Sequence, residues 1–124
     1  MSTNLRTYTN LLELIHGRSE TGPLWGTECE DLNGTFLAWA DGEGVAAHVN
    51  SELDVIMAVL DGQGELVLNG ESLALAAGIV IVIPKGAVRE IKAHSGGIAY
   101  LNVHKRRKRL NLGNVSDRPK PIPS

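Results

Sequence analysis

The sequence predicts an all-β domain, an antiparallel barrel or jelly roll built from short strands and tight turns. Turn signals that contain glycine recur at short intervals, and the segments between them are rich in Val, Ile and Leu. Glycine and asparagine tolerate the positive φ that tight turns need. Short strands at a spacing of roughly 8 to 12 residues, with no helical periodicity between them, are typical of this fold class. The predicted strands span residues 35–40, 44–49, 53–60, 65–69, 72–77, 79–83, 87–93 and 97–104.

The N-terminal part contains one candidate helix, in the stretch TNLLELIHG that ends at Gly17. Asn10 can cap its first turn, Glu13 stands where a capping-box acid stands, and Gly17 can end it. The segment is short, so an N-terminal strand is the alternative.

Two later segments carry distinct strand signals. Residues 65–75, ELVLNGESLAL, predict a hairpin with Asn69-Gly70 at its tip. The run IVIVI, residues 79–83, has no polar face. We therefore expect that strand to be covered on both sides, and one covering layer could be a second subunit.

Length and composition limit the organisation of the chain. Its 124 residues fit one domain, which we divide into an N-terminal arm with a first strand (1–30), a barrel (31–104) and a basic, Pro-rich tail (105–124). No apolar run reaches the length of about 18 residues that a membrane span needs, and the first residues lack the pattern of a secretion signal. A single cysteine, Cys29, cannot form an internal disulfide. We expect a cytoplasmic protein.

The two signs of charge are separated along the chain. Up to Pro84 there are two basic and twelve acidic residues, whereas from Lys85 onward there are ten basic and two acidic residues. The run Lys105–Arg109 could bind phosphates by releasing counterions from a nucleic acid. One run of five residues is weak evidence for that, so we favour a solvated tail and expect no nucleic-acid partner.

Polar residues concentrate in the stretch HVNSELDV, residues 48–55. His48 and Asn50 are two apart and share a face of a strand, and Asp54 begins the next strand. Arg89 follows a Pro-Lys-Gly turn later in the chain. Buried polar groups need partners, so this group could hold a metal, a substrate or only its own members.

In these residues the chain resembles the cupin family over about residues 33–104. The first cupin motif is matched by Gly44, His48, Asn50, Asp54 and Gly62, and the second by Gly78, Pro84, Gly86 and Arg89. The resemblance implies a double-stranded β-helix and often a homodimer.

The resemblance implies a metal site less well, because the family's ligands are two histidines and an acid from the first motif and a histidine from the second. Only His48 is unchanged. Arg89 stands at the second-motif histidine, and a guanidinium has no lone pair for a metal. We therefore predict no cofactor. A divalent transition metal held by His48, Asp54 and His104 is the alternative.

We expect Arg89 to supply the positive charge that a metal supplies elsewhere in the family, in a polar cluster with Asp54 and Asn50. Such a pocket suits a small anionic or hydroxylated ligand, because Arg89 can clamp a carboxylate or phosphate. His48 could move a proton. A plain Asp54–Arg89 ion pair that only specifies the fold is the competing interpretation.

The last predicted strand leaves one question open. Tyr100, Asn102 and His104 share one of its faces, while Ala99, Leu101 and Val103 share the other. If the polar face points into the barrel, Tyr100 and His104 join the pocket; otherwise they lie on the surface.

Three classes of function follow from these residues. The first is a metal-free binding protein, with His48 as a catalytic residue if it is an isomerase or epimerase. The second is a metal-dependent enzyme such as a dioxygenase, and the third is a non-catalytic regulatory module. In each class we expect a homodimer, since open sheet edges invite pairing.

Overall fold

A computed structural model describes residues 7–17 and 21–106 of the chain. Most of the basic run, from Arg107 onward, and the rest of the predicted tail lie outside the described residues. One helix and seven strands are present: α1 Leu11–Gly17, β1 Gly22–Glu28, β2 Leu32–Trp39, β3 Gly44–Val49, β4 Val55–Leu68, β5 Glu71–Ala76, β6 Val80–Ile83 and β7 Val88–Lys105.

All strand pairs are antiparallel, and they form two layers. One layer contains β1, β2, the second half of β7, the first half of β4, and β6. The other contains β3, the first half of β7, the second half of β4, and β5. The predicted all-β antiparallel fold is confirmed, and β4 and β7 each join two predicted strands.

The long strands change layer at a bend that requires glycine. The β4–β7 register shifts at this bend, between the pairs Gly62↔Ile98 and Gly64↔Ala93. Gly62 has φ +84°, and a Cβ placed on it would lie 2.1 Å from the carbonyl oxygen of Gly97. The two backbones touch here, so a side chain at residue 62 would push them apart.

The hairpin between β4 and β5 is confirmed. Leu68 pairs with Glu71, and the two residues between them, Asn69 and Gly70, have φ values of 50° and 85°. Positive φ at both central residues is the backbone of a type I′ turn, which an Asn-Gly pair favours.

The N-terminal segment is a helix and not a strand. The Asn10 side-chain oxygen accepts hydrogen bonds from the backbone N–H groups of Leu12 at 3.0 Å and Glu13 at 3.1 Å, so Asn10 caps α1. Apolar residues of α1 pack on the outer face of the first layer, against a small cluster of buried residues. That cluster consists of Phe36, Ala38 and Ala99.

The main core lies between the two layers. Its central side chains, including Met57, Leu66, Ile91 and Ile98, are buried and come from both halves of β4 and β7. Strand β6 contributes Ile83 to this core, with Ile81 packed against it.

The outer face of β6 is exposed in the single chain, where the sequence analysis allows a second subunit as the covering layer. Val80 is 63% exposed and Val82 61% exposed, so the described part of the chain covers only the inner face of this strand. Strand β6 pairs with β4 alone among the described strands, which leaves its second edge open.

Candidate functional site

A buried arginine occupies the space between the two layers. Arg89 lies in the first half of β7 and is 1% exposed, which makes it the largest fully buried side chain of the described chain. Its Nε donates a hydrogen bond to Nε2 of His48 at 3.3 Å. Its Nη2 is buried and has no hydrogen-bond partner among residues 7–17 and 21–106.

A β-bulge sets the partner of Arg89. Val45 pairs with Ile91 and His48 with Arg89, so β3 has one more residue than β7 between these pairs. Without the bulge, alternation would place Ala47 opposite Arg89. The bulge therefore brings the imidazole to the guanidinium.

Both ring nitrogens of His48 are engaged. Nδ1 lies 3.0 Å from the carbonyl oxygen of Ala46, which can only accept, and Nε2 accepts the Arg89 hydrogen bond. These two contacts specify a neutral ring with its proton on Nδ1. A ring in this state has no free lone pair with which to take a proton from a ligand.

The charge of Arg89 is poorly compensated by the described residues. Burial lowers the pKa of Arg89, and the nearby Tyr100 partly opposes this shift. No carboxylate of the described chain contacts the guanidinium. A guanidinium stays protonated under ordinary conditions, so a cation is buried here without a counterion from the described residues.

Tyr100 interacts electrostatically with the guanidinium from the opposite layer. It lies in the second half of β7, is fully buried, and accepts a hydrogen bond from Nε1 of Trp39 at 2.9 Å. Burial raises the pKa of Tyr100 to about 12, while the Trp39 hydrogen bond and the Arg89 charge oppose the shift. The face that carries Tyr100 points into the interior, which answers the question left open by the sequence.

Asn102 is a site residue that the sequence analysis did not select. It is 1% exposed, and neither its amide nitrogen nor its amide oxygen has a hydrogen-bond partner in the part of the chain that the structure describes. Its position two residues after Tyr100 was the available signal, because it had to share the orientation of Tyr100.

Two further polar residues lie beyond Asn102 on the same interior face. His104 follows on β7 and pairs directly with Asn33 of β2. The side-chain oxygen of Asn33 is buried and has no partner in the described residues. His104 is half-buried, and its Nδ1 lies 2.8 Å from the carbonyl oxygen of Lys105, so Nδ1 carries a proton and donates to that oxygen.

The structure does not bring Asp54 to Arg89, which corrects the expected cluster. Val55, Met57 and Val59 are the buried residues of this part of β4, so alternation turns Asp54 outward. Asp54 is exposed, and its carboxylate accepts a hydrogen bond from the backbone N–H of Lys85 at 2.8 Å. It fastens the turn before β7.

Asn50 is buried, and its side chain accepts hydrogen bonds from the turn in which it lies. Its side-chain oxygen accepts hydrogen bonds from the backbone N–H groups of Glu52 at 3.0 Å and Leu53 at 3.1 Å. This Asx turn shapes the connection between β3 and β4. The expected contact between Asn50 and Arg89 is not formed within the described chain.

The residues that the structure describes do not fit a transition metal. Arg89 projects into the interior where a ligand would be needed, and Asp54 points away from it. In the described ranges, no three His, Cys, Asp or Glu side chains come together as a metal site would require.

Comparisons with known proteins bear on the fold. No protein-family model and no curated protein matches the chain. Solved structures do match: a protein with a double-stranded beta-helix domain from Klebsiella pneumoniae has a TM-score of 0.67 at 20% identity, covering 79% of this chain and 88% of the other. A cupin protein from Bacteroides fragilis has a TM-score of 0.59 at 23% identity, covering 76% and 81%. The chain has the cupin fold.

A third solved cupin-fold neighbour is KdgF from Halomonas sp. Its TM-score is 0.62 at 22% identity, and the match covers 66% of this chain and 74% of that one. At such identities the likeness concerns the fold and not the site residues. Separately, the described residues include no helix of sufficient length and apolarity to span a bilayer.

Proposed function

We propose that this cupin-fold protein binds a small anionic ligand between its two layers, and that Arg89 is the residue that holds it. The observation that supports the proposal is the buried guanidinium with a free Nη2 and no contacting carboxylate among the described residues. An isolated charge is costly to bury. A carboxylate or phosphate would pair with that charge and accept from Nη2.

The contacts of Arg89 favour binding over proton transfer. Nε is held by His48, which is itself fixed by the Ala46 carbonyl, so the guanidinium is oriented before a ligand arrives. Orientation in advance raises affinity because less conformational freedom is lost on binding. We therefore assign His48 a positioning role and do not propose an isomerase.

The test is an NMR titration of the two tryptophan indole N–H signals, one from Trp25 and one from Trp39. Trp39 donates a hydrogen bond to Tyr100, which interacts electrostatically with Arg89, so the Trp39 indole should report an anion there. Acetate, lactate and phosphate are added separately to the full chain, with chloride as reference. We expect a saturable shift of the Trp39 signal with at least one of them.

Variants complete this test. Arg89→Met should abolish the saturable shift, whereas Lys92→Met, which removes an exposed cation from the same strand, should keep it. A saturable shift that survives in Arg89→Met would refute the proposal. So would the absence of any saturable shift in the wild-type chain.

We also propose that the interior takes no divalent metal, because Arg89 occupies the ligand position. At about 4 Å and an effective dielectric near 20, Arg89 would repel a divalent cation by roughly 8 kcal/mol. Elemental analysis of protein freed of purification metal should show far less than one equivalent of iron, nickel, zinc or manganese. One equivalent retained through a chelator wash would contradict this.

A homodimer through β6 is the remaining proposal of this section. Val80, Val82 and Ile56 form an exposed apolar face, in which Ile56 and Val82 are direct partners, next to the open edge of β6. A second copy could extend the sheet there and cover this face. Sedimentation should give a dimer, and Val82→Lys should give a folded monomer; a wild-type monomer at high concentration would exclude the interface.

A further inference from the structure

We infer that the ligand is a hydroxycarboxylate, a short carboxylic acid whose hydroxyl groups are bound by Asn102 and its neighbours. This inference rests on the proposed function, because it takes the carboxylate at Arg89 as given. It concerns the polar groups of the opposite layer, Asn33, Asn102 and His104, which we call the hydroxyl site.

The hydroxyl site faces Arg89 across the interior. Arg89 lies four residues before Ala93 and Asn102 four residues after Ile98, and these two positions flank the bend of β7. The two halves belong to opposite layers, which pack about 10 Å apart. Arg89 interacts electrostatically with Tyr100, which shares a face with Asn102 two residues on. A ligand of a few atoms can therefore reach both.

The hydroxyl site is built mainly from acceptors. The side-chain oxygens of Asn102 and Asn33 are buried and have no partner within the described ranges, and Nε2 of His104 adds a third acceptor when the ring is neutral. Asn102 adds one donor, its amide nitrogen, which is equally unpartnered in this part of the chain. Nearly all buried amides have a partner, from protein, water or ligand.

A hydroxyl group satisfies such a site, whereas other common substituents do not. It donates to one acceptor and accepts from one donor, which matches the two ends of the Asn102 amide. A keto oxygen only accepts, so it would leave the oxygens of Asn102 and Asn33 unpaired. A methyl group would leave the whole amide unpaired. The chemistry therefore selects hydroxy acids over keto acids and simple fatty acids.

The test compares four probes of similar size by the same indole titration: propionate, pyruvate, lactate and glycerate. Wild-type affinity should rise from propionate to glycerate by about tenfold or more, since each hydroxyl adds hydrogen bonds worth a few-fold to tenfold. Pyruvate should bind no better than propionate. Glycerol, which lacks the carboxylate, should give no saturable shift.

Asn102→Leu isolates the hydroxyl site. Leucine has a similar size and no polar atom, so the variant should fold and lose the preference for lactate and glycerate over propionate. Should it fail to fold, Asn33→Val provides the same comparison, with an expected loss of a few-fold in the glycerate preference.

The outcomes separate the two proposals. Equal affinity for propionate and glycerate in the wild type would overturn the hydroxyl site while anion binding at Arg89 stood. An unchanged glycerate preference in Asn102→Leu would overturn it as well. No saturable shift with any carboxylate or with phosphate would overturn the proposed function itself.

Discussion

The interior of the molecule contains an apolar region and a polar region, which differ in how well their buried atoms are satisfied by neighbours. In the apolar region, Met57, Leu66, Ile91 and Ile98 fill the space between the layers with complementary side chains. In the polar region, Arg89 and Asn102 are as deeply buried but have atoms without partners in the described chain. The first region stabilises the fold. In the second, unpartnered buried polar atoms are expected to lower stability, and this cost supports the proposal that its residues bind a ligand.

The largest expected effect comes from a substitution at the bend where the long strands pass from one layer to the other. Gly62→Ala places a Cβ against the Gly97 carbonyl at the bend. We expect it to lower the free energy of unfolding by roughly 3–5 kcal/mol, from the clash and the positive φ together. Urea unfolding measures the change.

Gly70→Ala is the matched control for that prediction. Gly70 has φ +85°, close to the +84° of Gly62, but nothing lies within 4 Å of a Cβ placed there. Its substitution should lower the free energy of unfolding by only about 1–2 kcal/mol, which is the contribution of the positive φ alone. Equal losses in the two variants would mean that the close approach at the bend contributes nothing.

The next effect tests the apolar region. Ile91 lies two residues after Arg89 on the same interior face and is 2% exposed. Ile91→Ala should destabilise by about 2–4 kcal/mol, through lost burial and the remaining cavity, and Ile91→Val by about 1 kcal/mol. Thermal unfolding should show this order. A loss under about 1 kcal/mol for Ile91→Ala would show that the core is looser than the packing indicates.

An effect of similar size appears only at high pH. The pKa of Tyr100 is raised from 10.0 to about 12 by burial, so the unfolded chain releases this proton first. The ionisation of Tyr100 should therefore leave the free energy of unfolding unchanged below about pH 10 and lower it by up to about 3 kcal/mol as the pH rises towards 12. Urea midpoints measured across this range follow the loss.

Two tyrosine variants make the alkaline prediction specific. The chain has only two tyrosines, so Tyr8→Phe leaves Tyr100 as the single phenol and its ultraviolet titration should be delayed to about pH 12. Tyr100→Phe should remove most of the alkaline loss of stability. An unchanged loss in that variant would assign it to other groups.

The sequence predicted the framework better than the site, for a physical reason. Turn residues act locally: Asn69-Gly70 specifies its hairpin wherever the strands go. The partner of Arg89 depends on a bulge in β3 that shifts His48 by one residue relative to β7. The β3 sequence GVAAHV contains no signal that predicts this bulge. The direction of the Asp54 side chain likewise depends on alternation in β4, where a displacement of one residue moves a side chain from the interior to the surface.

The matched motifs include Arg89 and His48 of the polar region, but also residues that do not contact Arg89. They directed attention to Asn50 and Asp54, which fasten turns, and away from Asn102, which lies beyond the matched motifs. Asn102 was accessible from periodicity once the inner face of β7 was known. The sequence alone left that face undecided, because both faces of the strand contain residues that a barrel interior accepts.

The smallest expected effect sharpens the comparison most, because its sign is opposite to that of a core substitution. Arg89→Met removes a buried cation whose Nη2 has no partner among the described residues and keeps most of the side-chain volume. We expect it to raise the free energy of unfolding by about 1–3 kcal/mol in chloride buffer. That corresponds to roughly 4 °C per kcal/mol in the melting temperature of a domain of this size.

A bound ligand should make the wild type more stable than Arg89→Met. A ligand that binds only the folded wild type adds stability in proportion to the logarithm of its concentration above Kd, about 2.7 kcal/mol at a hundredfold excess, and Arg89→Met should gain nothing. His48 keeps its contact to Ala46 in the variant and is half-buried, so its freed Nε2 can reach water. Destabilisation of Arg89→Met in chloride would show that the protein already compensates the charge, and the case for an anionic ligand would fail with it.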